Sequence, residues 1–204
     1  MRTLAIETAT EACSVALYEG ERLIAHDHRV LGRGHAERLV PMIANLPDRG
    51  KAERILVSLG PGSFTGVRIG IATARALGVA WDAKVLGYPT LALVAARCWQ
   101  PAPQPVTVCM NGGHGEWFVQ NFDQGKPEDE VQSLPPEAAV AACRHPRIAG
   151  NRADELAGLF PDGEKVAIDM LPDASKLYLL HEANWTTQLA PIYGRGPDAK
   201  PTQP

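Results

Sequence analysis

The segment Gly60-Pro61-Gly62-Ser63-Phe64-Thr65-Gly66 carries the strongest chemical signal in the chain. It stands between an apolar run at 54–59 that reads as a strand and a long apolar run at 67–81 that reads as a helix. Glycines there allow positive φ and close approach of another backbone, and amides at the start of a helix favour an anion. Gly60, Gly62, Ser63 and Gly66 are therefore the candidate residues of a weak nucleotide or anion loop. The established phosphate fingerprints do not fit. A P-loop needs Lys-Ser or Lys-Thr after its last glycine, and here Val67-Arg68 follows Gly66. The dinucleotide pattern needs a third glycine where Thr65 stands. Without side chains to hold a metal, a tight turn that aims the next helix is the favoured reading.

Other reactive residue types are scattered. His26 and His28 share one face of a strand, half of a metal site with no third ligand nearby. His35 is followed one helical turn later by Leu39, so a two-histidine metal face is absent there. Ser58 or Ser63, His35 and Asp48 combine into a triad on paper only, because Ser63 lies in Pro-Gly-Ser-Phe-Thr-Gly and not in a G-x-S-x-G elbow. Glu116 has no paired carboxylate and reads as a solvated strand residue. Cys13, Cys98, Cys109 and Cys143 are too widely spaced for a zinc site or a disulfide framework, and read as reduced thiols of a cytoplasmic protein. No catalytic and no metal-binding residue is assigned.

These residues need elements to hold them. Alternation over 2–8, 12–18 and 22–30 predicts an antiparallel meander of three strands. A helix over 35–46 follows, with Leu39, Met42, Ile43 and Leu46 on one face. Pro41 is expected to tighten or displace its start. The strand 54–59, the helix 67–81, a strand at 84–87 and a helix from Pro89 to about residue 99 complete a mixed sheet carrying helices. Pro101, Pro103 and Pro105 mark a boundary near residue 101. Beyond it, 106–110 and 116–122 read as strands, 137–143 as a helix, 147–150 as a strand and 153–159 as a helix. Residues 174–184 read as a helix capped by Asp173. No repeat of fixed period is visible.

The 204 residues are 45% apolar and 21% charged, enough to bury a core in one domain or two small lobes. A formal net charge of −3 argues against a mainly electrostatic nucleic-acid binder. No apolar run reaches the roughly 18 residues of a membrane span, and Glu7 interrupts the first apolar run too early for a signal peptide. The run 67–81 is apolar nearly all round, with Gly70, Ala74 and Gly78 every four residues. Such a smooth stripe admits a second helix closely, from the same lobe or from another subunit.

Three motifs resemble the TsaB family: Leu4-Ala-Ile-Glu-Thr-Ala-Thr-Glu-Ala-Cys-Ser-Val-Ala-Leu17, Gly34-His-Ala-Glu-Arg-Leu-Val-Pro-Met-Ile43, and Gly60-Pro-Gly-Ser-Phe-Thr-Gly-Val-Arg-Ile-Gly-Ile-Ala72. The third is the specific one. Asn111-Gly-Gly-His-Gly-Glu-Trp-Phe118 resembles a decayed form of the family's Asp-Ala-Arg-x-Gly-Glu-Val-Tyr, with Asn111 for the acid and Gly113 for the arginine. Pro191-Ile-Tyr-Gly-Arg195 is similar to its Pro-x-Tyr-x-Arg ending. Between about 120 and 190 the match is weak.

The resemblance implies an α/β, actin-like and sugar-kinase-like ATPase (ASKHA) fold of two related lobes, the second reduced. Residues 1–100 would form the first lobe with the partner-binding helices, 101–193 the reduced lobe, and 194–204 a disordered tail. It also implies a bacterial protein of tRNA threonylcarbamoyladenosine synthesis, acting next to the anticodon without catalysing the transfer. The transferase is then TsaD, which carries the metal-binding histidines, and TsaE is a further ATPase component. ATP and metal belong to those subunits, no cofactor is required by this chain, and tRNA is met only through the complex. Leu39 in place of a second histidine agrees with this role. On this reading Leu39, Met42, Ile43, Leu46, Val67, Gly70, Ile71, Ala74, Leu77 and Gly78 form one exposed apolar face. It pairs with TsaD as a heterodimer, or with a second copy as a homodimer when alone. Two other classes stay open: a stand-alone metal- or nucleotide-dependent transferase or peptidase of the same fold, and a homodimeric binding module.

Overall fold

A computed structural model of the chain describes residues 1–98 and 104–194. The expected meander forms as β1 (Arg2–Glu7), β2 (Ala12–Glu19) and β3 (Arg22–Val30), each antiparallel to the next. Then come α1 (His35–Ala44), β4 (Arg54–Ser58), α2 (Phe64–Trp81), β5 (Lys84–Tyr88) and α3 (Thr90–Arg97). β4 lies parallel to β1, and β5 parallel to β4, so the sheet runs β3-β2-β1-β4-β5.

A second sheet repeats this plan with shorter outer strands and helices. It comprises β6 (Val106–Gly113), β7 (Glu116–Asp123), β8 (Lys126–Pro127), β10 (Arg147–Ala149) and β11 (Val166–Ile168), with β9 (Gln132–Leu134) paired to β7. Its order is β8-β7-β6-β10-β11, antiparallel on the β7 side of β6 and parallel on the β10 side. α4 (Pro136–Ala142) and α5 (Ala153–Ala157) occupy the places of α1 and α2, and α5 has 5 residues where α2 has 18. Two lobes of one topology, the second reduced, make this the actin-like ASKHA fold.

Some elements differ from expectation. α2 begins at Phe64, because the Ser63 side chain accepts from Gly66 N and caps it. Pro41 sits inside α1 without displacing its start. Residues 174–184 form two short 3-10 turns, Ala174–Leu179 and Glu182–Asn184, although Asp173 does cap the first by accepting from Ser175 N at 2.8 Å. The strands β8, β9 and β11, of two or three residues, are too short to show a period. Residue 99, Pro101, Pro103 and the tail beyond Gly194 lie outside the described residues.

β1 alternates between two cores. Leu4 and Ile6 face α1 and α2, with Leu39, Met42, Ile55, Val57 and Ile71. Ala5 faces the second lobe, in a cluster that joins α3 to Val106, Val108, Met110, Phe118 and Phe122. The residues Leu91 to Ala96 of α3 are all buried, so this helix serves both sheets. After β11 the chain returns to the first sheet: Thr186 bridges Gly87, and Ile192 N donates to Leu59 O at 2.7 Å.

Candidate functional site

The glycine loop is stitched to the turn after β1. Ser63 N donates to Ala9 O at 2.6 Å, Gly66 N to Ser63 Oγ at 3.2 Å, and Thr8 Oγ1 to Gly66 O at 2.9 Å. Thr90 N donates to Gly60 O at 2.8 Å, which ties the loop to the start of α3. A methyl group on Gly62 would collide with the Ala9 carbonyl, and one on Gly66 with that of Thr8. The glycines thus allow two backbones to meet. Two of the loop amides are engaged within the chain, so the geometry aims α2 more than it cradles an anion.

The expected partner face requires a correction. Leu39, Met42, Ile43, Leu46, Val67, Ile71 and Ala74 are buried in the first lobe's own core. Gly70 and Gly78 are buried as well, and Leu77 is half-buried. The small stripe meets strands, not a foreign helix: a methyl on Gly70 would strike the Thr8 hydroxyl, and one on Gly78 the Val85 side chain. What α1 and α2 show to water is their opposite side. It carries Ala36, Val40 and Ala44 on α1, and Ala72, Ala76 and Val79 on α2. Val79 is 87% exposed.

Glu7 has a place that its position in the first motif did not disclose. It ends β1 with no exposure, where a charged residue in a strand buried on both faces was the available signal. Burial pushes its carboxyl up to about 7. Ala9 N donates to its Oε1 at 2.8 Å, and the Tyr88 hydroxyl lies 3.3 Å from Oε2. The histidines have structural places. His35 Nε2 pairs with Ala12 O at 3.2 Å, and His28 Nδ1 stands 3.8 Å from Asp173 Oδ1. The Ser133 hydroxyl donates to Glu116 Oε2 at 2.6 Å. The cysteines are unbridged, three of them buried. Among the described residues no three His, Cys, Asp or Glu side chains are grouped to hold a metal ion.

Between the lobes lies a cleft of about 430 Å³. Asn151 Nδ2 donates to Glu11 Oε1 at 2.8 Å across it, and Asn111 N donates to Asn151 Oδ1 at 2.9 Å. The diverged hairpin of 111–115 is thereby tied to the first lobe. Glu11, Asp169 and Asp173 line the cleft against one guanidinium, that of Arg97, whose Nη1 donates to Leu171 O.

Comparison with known proteins decides the family. An Escherichia coli protein, "tRNA threonylcarbamoyladenosine biosynthesis protein TsaB", is 30% identical over 225 residues, covering 96% of this chain and 95% of the relative. The chain belongs to the TsaB family. A Haemophilus influenzae TsaB is 38% identical over 103 residues, covering 48% of this chain and 43% of its own. The family model described as "TsaD: tRNA N6-adenosine threonylcarbamoyltransferase" matches residues 29–157, which run from the end of β3 to α5. The solved structure "YeaZ from Pseudomonas aeruginosa" superposes with a TM-score of 0.79 at 29% identity, over 94% of this chain and 99% of that one. No helix among the described residues of this TsaB relative is long and apolar enough to cross a membrane.

Proposed function

We propose that the chain is a non-catalytic partner subunit in the bacterial synthesis of threonylcarbamoyladenosine in tRNA, supporting the TsaD transferase. The observation that carries this is the likeness to the Escherichia coli TsaB over nearly the whole of both chains. The geometry supports a partner role. Leu39 stands in the core where a second metal histidine would be needed, and His35 is held by a backbone carbonyl. Three carboxylates against one guanidinium in the interlobe cleft oppose the phosphates of a nucleotide. Nucleotide binding by this chain is therefore weak, and ATP and metal come with TsaD and TsaE. Contact with tRNA is made through the complex.

The docking surface is the outer side of α1 and α2, not the stripe that the sequence suggested. Its small apolar residues let a partner helix approach closely, and TsaD or, in its absence, a second copy covers it. Val79→Glu places a charge in that seam without touching the core. It should keep the circular-dichroism spectrum and lose the TsaD heterodimer on size exclusion, by at least about 2 kcal/mol of association. Depletion of the chain from cells should lower the modified-nucleoside content of tRNA. Unchanged modification after depletion, or transfer by the purified chain alone, overturns the reading.

A further inference from the structure

The start of α2 carries two large rings in water. Phe64 is 56% exposed, and Tyr193, on the segment that returns to the first sheet, is 42% exposed. Their centroids lie 5.5 Å apart at an interplanar angle of 30°, a stacked pair. The Arg68 guanidinium lies over the Phe64 ring, with Cζ 3.2 Å from its centroid, and its Nη2 donates to the Tyr193 hydroxyl at 2.8 Å. The returning segment is tied down beside them: Arg75 Nη2 donates to Leu189 O at 3.0 Å, and Ile192 N to Leu59 O. The rings are therefore held in place before anything binds, which lowers the entropy cost of binding.

The charge around the rings has one sign. Residues 59–81 and 186–194 include two charged side chains, Arg68 and Arg75. Among the described residues neither stands within 4.0 Å of a carboxylate. Glu11, on the adjoining turn, lines the interlobe cleft and accepts from Asn151. A guanidinium pinned to a ring by its flat face keeps N–H donors for an anion. An anion beside exposed rings is the chemistry of a single-stranded nucleotide, with its phosphate next to its base. A protein hot spot is built differently, with its rings inside a surround of contacts that excludes water. The exposed neighbours of Phe64 are instead Ser63 and Thr65, whose hydroxyls can reach phosphate or sugar oxygens. The small apolar residues offered to a partner helix begin one turn beyond Arg68, at Ala72. With a net charge of −3 the chain has little long-range attraction for RNA, so stacking supplies most of the affinity.

We propose that Phe64, Arg68 and Tyr193 form a stacking platform for an unpaired nucleotide of RNA, with the base against the rings and its phosphate on the guanidinium. Within the complex this is where the chain touches tRNA, an assignment that rests on the function proposed above. The probe is a fluorescein-labelled single-stranded RNA of about eight nucleotides, read by anisotropy with the full chain and with its TsaD heterodimer. Poly-glutamate of the same length and inorganic phosphate are the competitors. The full chain should bind the RNA saturably with a Kd below about 1 mM, and neither competitor should displace it at equal concentration. Phe64→Leu should weaken binding at least about fivefold, and Phe64→Tyr should retain it. Arg68→Gln should lower the slope of log Kd against log salt by about 1. Both positions are exposed, so the circular-dichroism spectrum and heterodimer formation should be unchanged in each variant. Failure of the wild-type heterodimer to form counts against the function proposed above, while RNA binding by the chain alone still decides the platform. Absence of saturable binding, equal displacement by poly-glutamate, unchanged affinity in Phe64→Leu, or loss of the heterodimer in that variant overturns the proposal. The second and the last of these would assign the rings to an acidic protein surface.

Discussion

Glu7 ends β1 between Ala9 N, Ser58, Tyr88 and Thr90, and among the described residues it is the one wholly buried carboxylate. Desolvation raises its pKa from 4.5 to about 7, against the hydrogen bonds, which lower it. The folded chain therefore holds this proton more tightly than the unfolded chain. Its contribution to stability is full below pH 4.5 and is lost as pH rises to about 7. Glu7→Gln keeps an acceptor for Ala9 N and removes the charge. Thermal melts from pH 4 to 8 should show the wild type losing roughly 3 kcal/mol relative to the variant, nearly all of it below pH 7.5. Parallel melting curves across that range would refute it. The thiols follow the same physics. Burial pushes Cys13 up to about 11 and raises Cys98 and Cys109 too, so they stay protonated and covered. Cys143 is half-buried. Thiol labelling of the native chain at pH 8 should modify Cys143 first, and Cys143→Ser should remove the fast phase. Equal labelling of all four would contradict this order.

At the scale of the element, α2 explains both what the sequence disclosed and what it withheld. Its existence, its apolar character and its end at Trp81 were legible, because a glycine-rich turn before a long apolar run leaves little else for the chain to do, whereas the Ser63 cap and the start at Phe64 were not. The side its stripe faced was not. A strand and a partner helix both demand small residues at a close crossing, and only the contacts of Gly70 with Thr8 and of Gly78 with Val85 decide between them. Gly70→Ala should consequently destabilise the first lobe by about 1–3 kcal/mol, as overpacking does. Ala76→Glu, on the exposed side of the same helix, should change the melting point of the isolated chain little. Chemical denaturation of both variants checks the pair, and reversed effects would return the stripe to the surface. The 3-10 turns after Asp173 were hidden for a related reason: a short apolar pattern fits one helical turn as well as three.

At the scale of the molecule, the sequence shows no repeat, yet the structure has two sheets of one order and one sense. The duplication survives in topology because the pairing pattern depends on chain direction and connection length, and not on particular residues. In the second lobe the strands that flank β6 and β7 have two or three residues, too short for any periodicity to declare. The family motifs made the fold readable from the first lobe alone. They did not reveal what joins the lobes, since α3 reads as an ordinary apolar helix. In the structure it is buried on every side, and its cluster includes Leu56 and Tyr88 from the first sheet, and Val108 and Phe122 from the second. Neither lobe owns that core. Domains with separate cores unfold separately, whereas a shared core makes the loss of one lobe expose the other. The whole chain should then unfold in a single transition, with amides of β1 and β6 exchanging at the same denaturant concentration. Leu93, in α3 and fully buried, is the position to test. Leu93→Ala should cost about 2–5 kcal/mol and lower the protection of β1 and β6 together, measured by hydrogen exchange with mass spectrometry. If β6 loses protection while β1 keeps it, the lobes are independent, and α3 belongs to the second alone.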